Sequence, residues 1–144
     1  MTKNLLRLLA LSTGIALLGC GTKAPEEKTA TVTGKVTLTG KPLPGGTITF
    51  RSTAAAHRVG FGEIKPDGTY EAKNVPQGEC KVSVTNIHLK PVDKATGTPS
   101  TDGYQGPPPG AKYVPIPDKY TSEATTPLTA SITSDPATYN AELK

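Results

Sequence analysis

The side chains able to do covalent or proton-transfer chemistry in this chain are few. There are two cysteines, Cys20 and Cys80, two histidines, His57 and His88, and five tyrosines. Catalysis needs a nucleophile beside a base, a carboxylate pair, or a metal cluster. His57 and His88 fall in different segments, and no Cys or His pair has metal-ligand spacing. The expectation is therefore two solvated surface histidines, no catalytic residue, no metal and no cofactor. Cys80 shares the inward phase of an alternating run with Val82 and Val84, which predicts a small buried hydrophobe rather than a redox thiol. Tyr104, Tyr113 and Tyr120 sit among prolines and glycines. A ring on a stiff loop can stack on a sugar or fill a partner's pocket, so these three form the candidate ligand-binding loop. The competing expectation is that Tyr120 packs on the end of the domain.

Cys20 has a different use. Lys3 and Arg7 precede an apolar stretch of 11 residues, Leu8 to Leu18, broken by Ser12, Thr13 and Gly14. A membrane-spanning helix needs roughly 20 apolar residues. The stretch instead has the length and flanks of a signal-peptide core. It ends Leu17-Leu18-Gly19-Cys20, which resembles a lipobox, with a small residue before the thiol that takes up diacylglycerol. Residues 1–19 are thus expected to be a cleaved lipoprotein signal peptide. Residues 20–28 are expected to be the lipidated cysteine and a polar tether. Acyl chains such as palmitate on Cys20 would hold the protein to the membrane, at about 0.8 kcal/mol per buried CH₂. The eight-residue tether, Gly21 to Lys28, spans about 27 Å when extended. Gly21 stands where an Asp commonly signals inner-membrane retention, so the expected location is the cell envelope, with the outer membrane favoured over the inner.

The chain has 144 residues and a formal net charge of +4. Lys3 and Arg7 fall in the leader, which has no acidic residue, so the mature charge drops to +2. The remaining basic residues form no run, which argues against a phosphate-binding patch and a nucleic-acid partner. With Cys20 lipidated, Cys80 is left alone and no intramolecular disulfide is expected.

After Thr29 the dominant pattern is period-two alternation rich in β-branched residues. Strands are expected over 31–39, with Val32, Val36 and Leu38 on one face; over 47–51, with Ile48 and Phe50 inward; and over 58–64, weakened by Gly60 and Gly62. They continue over 69–72 with Tyr70 inward, and over 79–87 with Cys80, Val82 and Val84 inward. Leu128, Ala130 and Ile132 alternate in one further strand, and Tyr139, Ala141 and Leu143 in another. Turn clusters fall at 40–46, 66–68 and 74–78. A Pro-rich loop with seven prolines covers 89–119, and its stiffest part is Gly106 to Gly110. No segment has a helical period. About seven short strands with one-sided alternation predict an all-β, antiparallel two-sheet sandwich over 29–144.

Three stretches carry a family resemblance. Val32-Thr33-Gly34-Lys35-Val36 with Gly40-Lys41-Pro42-Leu43-Pro44-Gly45 resembles the opening of carboxypeptidase regulatory-like domains. Lys65-Pro66-Asp67-Gly68-Thr69-Tyr70 resembles their Asp-Gly turn, and Asn74-Val75-Pro76-Gln77-Gly78-Glu79-Cys80-Lys81-Val82-Ser83-Val84 resembles the strand that follows. Cys80 stands where that family usually has Tyr, and Gly46 where Ala is common. The tail, Ile116 to Tyr120 with Ser122 and Pro127-Leu128-Thr129, resembles the ending of short bacterial lipoproteins that carry this domain. The resemblance implies a transthyretin-like (prealbumin-like) Greek-key sandwich without catalytic residues. Hydroxyisourate hydrolases share that fold but end in Tyr-Arg-Gly-Ser, whereas this chain ends Ala141-Glu142-Leu143-Lys144. The expected function is a lipid-anchored, non-catalytic module of the envelope, structural or protein-binding. The alternative is a carbohydrate- or peptidoglycan-binding module that uses the Tyr/Pro-rich loop. The expected partners are the membrane, through Cys20, and an envelope protein or glycan.

Overall fold

The computed structural model describes residues 28–54, 58–91 and 108–144. Residues 1–27, with the expected leader, Cys20 and most of the tether, lie outside the described residues, as do His57 and Tyr104. The described chain is all-β. Its strands are β1 (Thr29–Leu38), β2 (Lys41–Pro42), β3 (Gly46–Ser52), β4 (Val59–Ile64), β5 (Thr69–Pro76), β6 (Gly78–Thr85), β7 (Thr129–Ile132), β8 (Ala137–Thr138) and β9 (Ala141–Leu143). All seven expected strands are present, together with two strands of two residues each, β2 and β8.

The strands form one curled sheet in the order β2-β1-β5-β4-β3-β6-β7, with β8 and β9 added on β1. Within it, β6-β3-β4-β5 has the Greek-key order, three hairpin-linked strands with the fourth beside the first. The return from β5 to β6 uses Gln77 alone, because the curl brings the end of β5 to the start of β6. All pairings along that path are antiparallel. The C-terminal strands differ from the antiparallel expectation. Both β8 and β9 run parallel to β1.

The core forms because the alternation puts one set of side chains inside the curl. Val32, Val36, Ile48, Phe50, Val82, Val84 and Cys80 are fully buried, as the period-two reading expects, and Ile64 is fully buried as well. Phe50 is its aromatic centre, with its ring 6.1 Å from Tyr70 and 5.8 Å edge-on from Tyr139. Gly60 takes an inward position on β4, and a Cβ there would lie 2.6 Å from the Cα of Val75. A glycine that looks like a weak strand former is thus the residue that lets β4 and β5 come together.

The strand expected over 79–87 stops at Thr85, with Ile87 exposed in a 3-10 turn, and two further local features depart from the expected boundaries. The segment 74–78 is expected as a turn, but β5 runs on through Pro76. Asn74 has a φ of +56°, and the β1–β5 register shifts between Ala30 and Val32. This is a β-bulge with the extra residue on β5, and it turns Val75 inward after Tyr70 and Ala72. The second departure is inside the cluster 40–46. Thr39 and Gly40, at φ +47° and +80°, make a two-residue hairpin turn. β2 then folds back, and Leu43 is fully buried, its N–H donating to the Val36 carbonyl at 3.0 Å.

Candidate functional site

The reactive side chains are occupied by the fold. Cys80 is buried in β6, its Sγ 3.4 Å from the Pro76 carbonyl. Burial, with Glu79 adding to it, pushes its thiol up from the ordinary range, so it is a poor thiolate. Tyr120 lies in a short 3-10 turn, Asp118–Tyr120, and is 3 % exposed. Its hydroxyl accepts from the Lys144 N–H at 2.9 Å and donates to the Lys144 carbonyl oxygen at 3.1 Å. Its ring therefore pins the C-terminal strand to the domain end. Lys119 Nζ lies 4.9 Å from the centre of that ring. Tyr113 is half-buried. Of the three loop tyrosines, then, one is a structural pin, one is partly accessible and Tyr104 is outside the described residues. His88 is exposed in the 3-10 turn Ile87–Leu89. No group of three His, Cys, Asp or Glu able to hold a metal occurs among the described residues.

Two concave regions stand out on the surface of the described residues. The larger is an open groove of about 570 Å³ over the outward face of β3, β4 and β5, lined by Phe61, Glu63, Glu71, Lys73, Thr47 and His88 among others. The strands place these residues by register. Phe61 stands opposite Lys73 on β5 and Thr49 on β3, and Glu63 opposite Glu71 and Thr47. Phe61 is 69 % exposed, the most exposed large hydrophobic residue described. Glu63 and Glu71 are like charges directly across strands, an arrangement that costs stability. Lys73 Nζ reaches Glu71 at 3.4 Å, and both side chains are solvated.

The smaller region is a hollow of about 290 Å³ where the β1–β2 hairpin meets the segment after residue 108, lined by Leu38, Lys41, Pro42, Leu43, Pro44 and Val114 among others. The segment is held there by two hydrogen bonds. The Lys112 N–H donates to the Pro44 carbonyl at 2.8 Å, and Asn86 Nδ2 donates to the Val114 carbonyl at 2.6 Å. Asn86 is buried, so its amide does the work a strand partner would do for that carbonyl.

Sequence reasoning did not single out Phe61 or the lining of the hollow. A signal for Phe61 existed. With Gly60, Gly62 and Ile64 inward, the ring has to face out, and an aromatic in the outward phase is unusual on a solvated strand face. The hollow left no such signal, because its walls come from three separate parts of the chain. Compared with protein-family models, curated proteins and solved structures, the chain matches none.

Proposed function

We propose that this protein is a lipid-anchored, non-catalytic β-sandwich module of the bacterial cell envelope, of the carboxypeptidase regulatory-like kind, acting as a structural or protein-binding unit. The observation that carries the reading is the position of the first strand. β1 begins at Thr29, nine residues after the cysteine that ends the leader-like stretch. A domain starting there is tethered closely rather than spaced far from its anchor. The use of Cys80, Tyr120 and Tyr70 in core packing and backbone hydrogen bonds supports a role without catalysis. The test is membrane fractionation with intact mass. The detergent-extracted protein is expected to begin at Cys20 and carry acyl chains. Cys20→Ser should move it from the membrane fraction to the soluble one. A mass that begins before Cys20, or an unchanged partition of the variant, would refute the anchor.

A second reading, a carbohydrate- or peptidoglycan-binding module, is favoured by one observation. Phe61 presents an exposed ring between Lys73 and Thr49 on the outward strand face, with Glu63 next to it along β4, an arrangement in which a ring can stack on a sugar beside polar groups. Retention on purified cell-wall sacculi that is lost in Phe61→Ser, but kept in Tyr113→Ala, would place the glycan on the sheet face. The reverse pattern would place it on the loop, and no retention by the parent protein would remove this reading.

A further inference from the structure

The hollow at the β1–β2 hairpin lies at the end of the domain opposite the point where the chain enters. Thr29 pairs with Pro76, and the Gln77 N–H donates to the Lys28 carbonyl at 3.0 Å, so the tether arrives beside the β5–β6 link. Leu38, at the far end of the ten-residue β1, lines the hollow. At the rise of a β-strand, the two points are about 30 Å apart.

The chemistry of this end is asymmetric in a way the fold does not need. The walls are apolar. Leu43 is fully buried beneath the hollow, while Leu38 and Val114 pack partly buried against the core. The rim is cationic. Lys41 is in the wall itself. Lys112, an exposed residue, donates its backbone N–H to the carbonyl of Pro44, a wall residue, and so lies beside the hollow. Lys144 follows Leu143, whose carbonyl accepts from the Thr39 N–H at 2.8 Å. Two carboxylates lie nearby, one of them already paired with a lysine. Glu142 sits 3.6 Å from Lys144 Nζ, and Asp67 accepts from both the backbone N–H and the hydroxyl of Thr69. Among the described residues, Lys41 and Lys112 have no carboxylate partner.

An apolar recess with Lys41 in its wall and Lys112 beside it is complementary to one kind of molecule. We infer that the hollow binds an amphipathic anion, a short acyl chain with a carboxylate or phosphate head, the chain lying against Leu38, Pro42, Pro44 and Val114 and the head at Lys41 and Lys112. A volume of about 290 Å³ is at the small end of ligand pockets, which limits the length of chain the hollow can take. This inference goes beyond the proposed function and does not depend on lipidation of Cys20.

The test uses the full chain carrying Cys20→Ala, which keeps the protein's own acyl chains out of the assay. Hexanoate, octanoate and decanoate are titrated below their aggregation thresholds and followed by backbone amide NMR. Shifts are expected at Lys41, Leu43 and Val114, with affinity rising about fourfold per methylene until the hollow is full. Octyltrimethylammonium, with the same tail and opposite charge, should bind at least tenfold more weakly. Val114→Trp, which fills the recess, should abolish binding, and Lys41→Glu with Lys112→Glu should reduce octanoate affinity more than tenfold. Lys81→Glu, in β6, is the control and should leave affinity unchanged. A second arm sediments the protein with vesicles of phosphatidylcholine alone and with one quarter phosphatidylglycerol. Capture only by the anionic vesicles, lost in the Lys41/Lys112 variant, would identify lipid as the source. Octanoate binding without such capture would identify a free carboxylate. Overturning results are equal affinity for the cationic and anionic octyl probes, undiminished binding in folded Val114→Trp, or no shifts and no capture.

Discussion

The two ends of β1 are built on opposite terms. Along its first half, the C-terminal segment closes over the strand and almost every polar group has an assigned partner. The Thr31 N–H donates to Asp135 Oδ1 at 2.8 Å, the Tyr139 N–H to the Thr33 carbonyl at 2.9 Å, and the Lys35 N–H to Asn140 Oδ1 at 2.9 Å. The Tyr70 hydroxyl donates to the Tyr139 carbonyl at 2.6 Å. Here side-chain oxygens replace strand carbonyls between β8 and β9, so the edge of β1 is covered by a clasp too irregular to be one strand. At the other end the backbone is paired as well, by β2, β9 and the Thr39 N–H bond to the Leu143 carbonyl, but among the described residues the side chains of Lys41 and Lys112 have no carboxylate partner. The clasp spends its residues on stability. The hairpin rim holds chemistry that folding does not require, and such surplus is where binding is to be sought.

The largest expected effect is at Gly34. A Cβ added there would lie 1.9 Å from the Tyr139 carbonyl oxygen and 2.7 Å from its carbon, both backbone atoms that cannot swing away. Gly34→Ala is expected to cost about 3 kcal/mol or more, because the clasp must lift off β1 or the strand must bend. Urea denaturation followed by circular dichroism measures it. A loss below about 1 kcal/mol would mean that the C-terminal segment is not seated as described.

The next effect is a pH dependence centred on Tyr70. Its hydroxyl is buried against Tyr139, and burial raises its proton affinity well above the ordinary tyrosine value of 10.0. Cys80, from its ordinary value of 9.0, and Tyr139 are shifted in the same direction, also by burial. Each group holds its proton more tightly when folded than when unfolded, so the unfolded chain binds fewer protons above these values. Stability is therefore full below about pH 9 and falls as pH rises, first as the unfolded thiol ionises and then as the tyrosines do. Tyr70→Phe should lower stability by about 1 kcal/mol at pH 7 through the lost hydrogen bond, and should flatten the decline above pH 10. A parent protein equally stable at pH 7 and pH 11 would contradict the burial of these groups.

The sequence carried the strands and not their closure. Period-two alternation sufficed to place Val32, Ile48, Phe50, Val82 and Ile132 inside, because that signal is local. What it missed is set by distant partners. Leu43 reads as part of a Gly/Pro turn, and only its bond to Val36 across the hairpin shows it to be core. The segment 74–78 reads as a turn because Asn, Pro and Gly favour one, yet the same residues also suit a bulge and a one-residue link. The parallel seating of β8 and β9 depends on Gly34, which by itself looks like an interruption in a strand. On the candidate sites, Cys80 was legible as core from its phase. Tyr120 was weighed both as a loop ring and as a packing ring, and the bond to Lys144 that makes it a pin spans 24 residues and is invisible locally.

The smallest expected effect is on the outer sheet face. Phe61 stands on the same strand as buried Ile64 but in the opposite phase, and it is 69 % exposed. A ring so placed loses little water on folding, so Phe61→Ser should change stability by no more than about 0.5 kcal/mol. The outward neighbours Glu63 and Glu71 repel each other across β4 and β5, so this patch as a whole adds nothing obvious to the fold. Thermal denaturation of the variant beside the parent decides the point. A near-zero change would show Phe61 to be as free of structural duty as the hairpin lysines, and would make any accompanying loss of glycan retention a binding effect rather than a folding one. A loss above about 1 kcal/mol would show instead that the ring is covered in the folded chain. The sheet face would then belong with the clasp among the parts committed to stability, and the hairpin hollow would be left as the principal surplus of the molecule.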